Sequence, residues 1–418
     1  MKKLSFITLF TALLFIAGCK KDNDSGGEDY EDIPGTPVTI SGDINTSVTE
    51  AAKVIALSST DRYKTADITN NHFSIELDNG KPWGLIFLNS AEQPLGILSL
   101  DNGIETLPLN YITTGVAAIN LQTITRNGSV FTPSHNPIDN EITLTAGQKE
   151  AVAAADDYLA MVLKNPDVNG NGQVDVLEGK FFKLSIIYFI KPGRFAGSNL
   201  SPTYDPNKLI EGYRLFLSVS DNSFPETVYY TGPSGSPLSN SPSETYLGFN
   251  GHRVYPTSYL FDVAGSDSYL PVTGVYTVKY GGQTLTFDLP DQSYVLNNVI
   301  YPWPTLTLNS NGTINKLDWI YRNPSGSVAF DVSAITRNLG ISLEGTGNEC
   351  SDHQNSDRLY DISNLPISTT SHTFSCQNID WGVNTGNPYP GWKHVDRIMM
   401  SYKDYYDASY VVMYERNY

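Results

Sequence analysis

The stretch from Asn165 to Lys180, NPDVNGNGQVDVLEGK, sets oxygen-bearing side chains at alternate positions: Asp167, Asn169, Asn171, Gln173 and Asp175, with Glu178 following. Calcium is a hard cation that takes six to eight oxygen ligands, so carboxylates and amides at this spacing point to calcium. Gly172, in the middle, has no Cβ and permits a sharp turn there. The bland alternative is a polar Asn/Asp/Gly turn without metal affinity.

Counted from Asp167, the stretch resembles the twelve-residue calcium loop of the EF-hand and dockerin family, which takes ligands from positions 1, 3, 5, 7, 9 and 12 with glycine at position 6. The resemblance implies ligands at Asp167, Asn169, Asn171, Gln173, Asp175 and Glu178, with Gly172 at the glycine position. Gln173 would use its backbone carbonyl and Glu178 both carboxylate oxygens. Val174 falls where the family places an apolar contact. Two features depart from the family. No second loop follows to pair with this one, and the exit segment FFKLSIIYFI is β-branched and aromatic, which favours a strand over a second helix. A single structural Ca2+ is therefore expected, not a paired sensor that opens its helices.

The elements that must position these residues are legible on both sides. In TAGQKEAVAAADDYLAMVLKN, Val152, Ala155, Leu159 and Val162 recur at helical spacing behind Thr145 as a cap. Pro166 stops that helix, and residues 144–182 read as helix plus loop. Residues 37–125 alternate in short apolar bursts, and DNG between HFSIEL and GLIFLN marks a tight connection. This region resembles the transthyretin-like, carboxypeptidase-regulatory-like β-sandwich modules of secreted bacterial proteins, which implies a spacer and transfers no catalytic residue. After the loop the chain reads as strands to its end, in a β-rich domain over 183–298 and a sandwich-like domain over 299–418, cut near LNNVIYPWPT. The expected fold class is mainly β: tandem β-sandwich modules, with one helix leading into the calcium loop between the first module and the rest.

The opening MKKLSFITLFTALLFIAGC has a basic start and an apolar run too short to span a bilayer. It reads as a secretory signal over 1–18. IAGC resembles a bacterial lipobox, which implies cleavage before Cys19, acylation of Cys19 and anchoring to the membrane through lipid. Residues 19–36 are charged and rich in Gly and Pro, so they form a flexible tether. The acidic residues after Cys19 resemble the surface-export signals of Bacteroidetes lipoproteins, although Lys20 and Lys21 come first. The expected location is the bacterial cell envelope, at the outer membrane, facing either the surface or the periplasm. A net charge of −17 with no Lys/Arg stripe excludes a nucleic-acid partner. With Cys19 acylated, Cys350 and Cys376 remain as a pair that an oxidising compartment favours joining, two free thiols being the alternative.

No G-x-S-x-G, H-E-x-x-H, P-loop or C-x-x-C motif is present. A disulfide at Cys350 would gather Asp352, His353, Asp357 and His372 in one region, a loose set beside real zinc patterns. Trp381, Tyr389 and Trp392 lie among turn residues, where rings either stack on a glycan or protein ligand or close one end of a sandwich. The expected role is binding or scaffolding, with an extracytoplasmic hydrolase acting on a polysaccharide or peptide as the alternative. The leader carries its own test. Cys19→Ser should move the protein from the membrane fraction to the soluble one, and retention of the variant on carbonate-washed membranes would refute the anchor.

Overall fold

The computed structural model describes residues 35–58, 63–100, 104–150, 152–153, 163, 165–180, 182–205, 210–219, 227–236, 243–246, 253–254, 271–280, 283–327, 336–346, 358–374, 379–381, 393–404 and 408–417. Cys19, Cys350, Cys376, Asp352, His353, Asp357, Tyr389 and Trp392 lie outside the described residues. The protein is mainly β, with its strands in several sheets around two hydrophobic cores.

The amino-terminal sheet contains β1 (Pro37–Ile44), β2 (Lys53–Leu57), β3 (Tyr63–Asp67), β4 (His72–Asp78), β5 (Gly84–Leu88), β6 (Pro94–Leu98), β7 (Ala118–Asn127) and β8 (Val130–Pro133). Their order is β3-β2-β5-β6-β8-β7-β1-β4, with β1/β7 and β6/β8 parallel. The period-2 pattern of HFSIELD turns Phe73, Ile75 and Leu77 of β4 inward. GLIFL of β5 has no alternation, and all five residues are buried. Phe87 stacks on Phe131 with centroids 4.1 Å apart and meets Phe73 edge-on at 6.0 Å. Leu163 covers Gly84, where a Cβ would stand 2.3 Å from Leu163 Cδ2. An unbroken apolar strand therefore marks an element with cover on both faces.

Residues 146–150 are helical, and Thr145 caps them as its type suggests. Gln148 N–H donates to Thr145 Oγ1 (3.2 Å) while Thr145 N–H donates to Gln148 Oε1 (2.8 Å). That reciprocal pair is a capping box, which satisfies two backbone donors that have no partner in the helix.

The largest sheet begins at β9 (Phe182–Ala196) and adds β10 (Thr203–Tyr204), β11 (Ile210–Val219), β14 (Arg253–Val254), β19 (Thr336–Thr346), β20 (Arg358–Leu365), β22 (Ile379–Asp380), β23 (Lys393–Asp404) and β24 (Ser409–Asn417). Its main path is β14-β11-β9-β24-β23-β19-β20. The last strand thus lies in the middle, parallel to β9 and antiparallel to β23. Two smaller sheets pack on the same core. One holds β12 (Thr227–Thr231), β13 (Ser243–Tyr246), β15 (Gly274–Tyr280) and β16 (Gln283–Leu289). The other holds β17 (Tyr301–Leu308), β18 (Ile314–Arg322) and β21 (Ser371–Thr373), with Gly312 at φ 86° in the NGT turn between β17 and β18. The cut between 298 and 299 runs through one sheet and one core, because β24 pairs with β9 across that line.

Tyrosine hydroxyls hold the β17–β18 hairpin to the large sheet. Tyr402 donates to Ile300 O, Tyr414 to Pro302 O and Tyr204 to Pro324 O. Burial pushes the Tyr402 and Tyr414 hydroxyls well above their ordinary value, which keeps both as neutral donors. Tyr402→Phe and Tyr414→Phe each leave a buried carbonyl without its donor, so each should lower stability by about 1–2 kcal/mol in urea unfolding. An unchanged midpoint for both variants would show that these bonds contribute nothing.

Candidate metal centre

The loop from Asp167 to Glu178 is organised by its polar side chains folding back on its own backbone. Asp167 carries out the first turn: Oδ1 accepts the Asn171 N–H (3.0 Å) and Oδ2 the Gly172 N–H (2.7 Å). Asn169 Oδ1 accepts from Asn171 N (3.0 Å), and Asn171 Oδ1 from Gln173 N (2.9 Å). These Asx-type bonds are why short oxygen-bearing side chains suit alternate positions here. Gly172 has φ 91°, a conformation that L side chains rarely adopt. Val174 then runs extended with its side chain buried, and Asp175–Glu178 form a single 3-10 turn. Gly179, at φ 74°, ends that turn ahead of β9. A turn and a strand thus stand where a second helix would follow.

Asp175 is the buried acid of the site, 3% exposed. Oδ2 accepts the Val168 N–H (2.8 Å), and Oδ1 accepts the Asn169 amide. Burial pushes its carboxyl up to about 7; the charges of Asp167 and Glu178 add to the rise, while the Val168 hydrogen bond and Lys180 oppose it. Glu178 closes the ring, taking the Asn169 amide on Oε2 (3.1 Å) and the Asn171 amide on Oε1 (2.7 Å), with Lys180 Nζ at 3.9 Å.

Five of the six sequence-read ligands are brought into this network through their side chains, and Gln173 enters it through its backbone, where its carbonyl is the group the register requires. The donor chemistry suits a hard cation, with three carboxylates and two amide oxygens on one short loop. In this conformation the Asn169 and Asn171 amides face the Asp175 and Glu178 carboxylates, so a cation would have to displace those N–H donors by turning the amides. Consistent with that arrangement, no group of three or more His, Cys, Asp or Glu side chains converges as a metal-ligating set among the described residues.

The other candidates fare differently. Trp381, for which ligand stacking and sandwich packing are the two sequence-level alternatives, is fully buried: its Nε1 donates to Asn199 O (3.2 Å), Arg416 lies over its ring at 4.9 Å, and Phe195 packs edge-on at 4.8 Å. A ring enclosed in the core has no face left for a ligand, and the alternative of a sandwich-packing role accounts for it. His372 pairs with the Tyr360 hydroxyl (2.8 Å) and packs against Phe374, and burial holds its ring below the usual histidine value. Sequence reading passed over Val168, Val176 and Leu163. Val168 stands alone among polar residues, and although Leu163 and Val176 adjoin other apolar residues, spacing along the chain does not say which of the two cores each one joins.

No family model matches the chain, and no curated protein matches it. Among solved structures, a leucine-rich repeat protein from Bacteroides thetaiotaomicron aligns with 69% of this chain and 24% of its own at 9% identity and a TM-score of 0.17. A tetra-tandem repeat from the extending region of a large adhesion protein aligns with 91% and 73% at 9% identity and a TM-score of 0.14. Trypsin-activated alpha-2-macroglobulin from Escherichia coli aligns with 88% and 21% at 9% identity and a TM-score of 0.13. The chain spans about a quarter of the first of these. Similarities at this level carry no argument about fold or function.

The raised Asp175 carboxyl has a measurable consequence in chelator. Between about pH 4 and about pH 7 the folded chain holds a proton that the unfolded chain releases, so this group's contribution to stability falls as pH rises through that window. The slope is at most about 1.4 kcal/mol per pH unit, the value for one proton. Asp175→Asn should flatten it, as read from urea midpoints across the range; an identical pH profile for wild type and variant would contradict the raised value.

Proposed function

We propose that the protein is a lipid-anchored, calcium-binding component of a bacterial cell envelope with a binding or scaffolding role. The observation that carries the calcium reading is the loop itself: Asp167, Asn169 and Asn171 wrap the backbone while Asp175 and Glu178 face them from the following turn. The leader ending in IAGC supports the anchor, and an envelope or extracellular setting supplies calcium at the level such a site needs. The tandem-sandwich reading belongs to the same proposal. It is supported by the two separate cores and by the inward alternation of strands such as β4.

Two neutral asparagines at positions 3 and 5, and the absence of a partner loop in the sequence, favour a dissociation constant in the extracellular range, about 0.1–1 mM. Calcium binding also requires Asp175 ionised, so affinity should weaken on acidification below about pH 7. At free calcium of about 2 mM the folded form would gain roughly 0.7–1.8 kcal/mol. Thermal unfolding in calcium, in magnesium and in chelator should show the highest midpoint in calcium, with titration calorimetry recording binding heat. Glu178→Gln should weaken affinity by about tenfold or more, because position 12 offers two oxygens and a full charge. Equal midpoints in all three conditions and no calcium heat would refute the site.

A further inference from the structure

The segment 163–178 does not belong to one half of the molecule. Leu163 sits on Gly84 in the amino-terminal core, and Val174 and Val176 are buried in that same core. Val168, between them in sequence, is 6% exposed and buried in the carboxy-terminal core with Phe182 and Leu184. Asn165 Nδ2 donates to Thr286 O of β16 (3.4 Å), a second tie to the carboxy-terminal half. The chain therefore plants apolar residues alternately on either side within sixteen positions. The two plantings are bonded to each other: the Val168 N–H donates to Asp175 Oδ2 (2.8 Å), and Asp175 lies between Val174 and Val176.

We infer that residues 163–178 form a bracket that makes the two hydrophobic cores unfold as one cooperative unit, and that a cation in the loop tightens the bracket. The first part stands on packing alone. The second rests on the calcium reading above, because the ion would bind Asp167, Asn169 and Asn171 beside Val168 together with Asp175 and Glu178 beside Val174 and Val176. Drawing those two runs onto one ion holds the residue seated in one core against the residues seated in the other. Parting the cores would then require losing the ion as well as the buried valines.

The test uses the full chain and a double variant, Asn165→Ala with Val168→Ala, which removes both ties to the carboxy-terminal half and leaves every candidate ligand in place. Differential scanning calorimetry should show one transition for wild type in calcium. The variant should show two transitions separated by about 5 °C or more, which corresponds to a difference of roughly 1–2 kcal/mol between domains of this size. In titration calorimetry the variant should still give calcium heat, with affinity within about threefold of wild type, since that is under 1 kcal/mol. Chelator should broaden or split the wild-type transition. Should the variant unfold too readily to interpret, hydrogen exchange of the wild-type chain gives the same answer: amides of β5 and of β9 should open with one common free energy in calcium. Two independent transitions for wild type in calcium, or a single transition retained by the variant, would overturn the bracket. A split in the variant with no calcium heat in either protein would support the bracket and overturn the calcium reading and the ion's part. Binding heat with no effect of chelator on the wild-type transition would overturn the ion's part alone.

Discussion

The parallel pairing of β24 with β9 is the contact on which the carboxy-terminal half depends. Until the last strand is in place, β9 and β23 present open edges to one another and the main sheet is two fragments. Arg416 Nε donates to Gly197 O (3.0 Å) across 219 positions of sequence, a measure of how far the chain must return to close this core. Contacts at such separation demand a large loop-closure entropy before any burial is gained, which slows the folding of a sheet of this kind. The same closure joins strands on either side of residue 298 in one sheet.

Many of the described aromatic residues in this half serve the interior. Trp303 takes Arg322 over its ring at 4.2 Å and packs edge-on against Tyr414 at 5.9 Å, while Tyr402 and Tyr410 stack at 4.8 Å. Tyrosine suits these places because one end of the side chain is apolar and the other donates a hydrogen bond. The carbonyls of Ile300, Pro302 and Pro324 each accept a hydrogen bond from such a hydroxyl. A chain with many tyrosines among its turns can for this reason look like a ligand platform while its rings are structural, and Trp381 is a case in point.

The loop shows how a polar motif becomes a structural part. Its Asx bonds need only local sequence, but Asp175 is buried where the chain passes between cores: it accepts the N–H of Val168, which is seated in one core, and is flanked in sequence by Val174 and Val176, which are seated in the other. Low dielectric around a carboxylate that has Asp167 and Glu178 nearby raises its carboxyl and makes the loop responsive to protons and, on the proposed reading, to calcium. An EF-hand pair would brace such a loop with a second loop. Here the loop ends in a 3-10 turn and runs on into β9, and in the proposed bracket the two cores supply the bracing.

The sequence by itself determined whatever rests on neighbours along the chain. The short apolar bursts around HFSIEL, the Thr145 cap and the oxygen spacing from Asp167 to Glu178 were all legible, because pleat, cap and Asx turn depend on offsets of a few residues. Tertiary structure alone decided the rest. It placed the last strand at the centre of the largest sheet, put Trp381 in the core, and sent Val168 and Val174 into different cores although six positions separate them. Those outcomes depend on which distant surfaces meet, and residue type and spacing record the faces an element offers but not the partner that covers them.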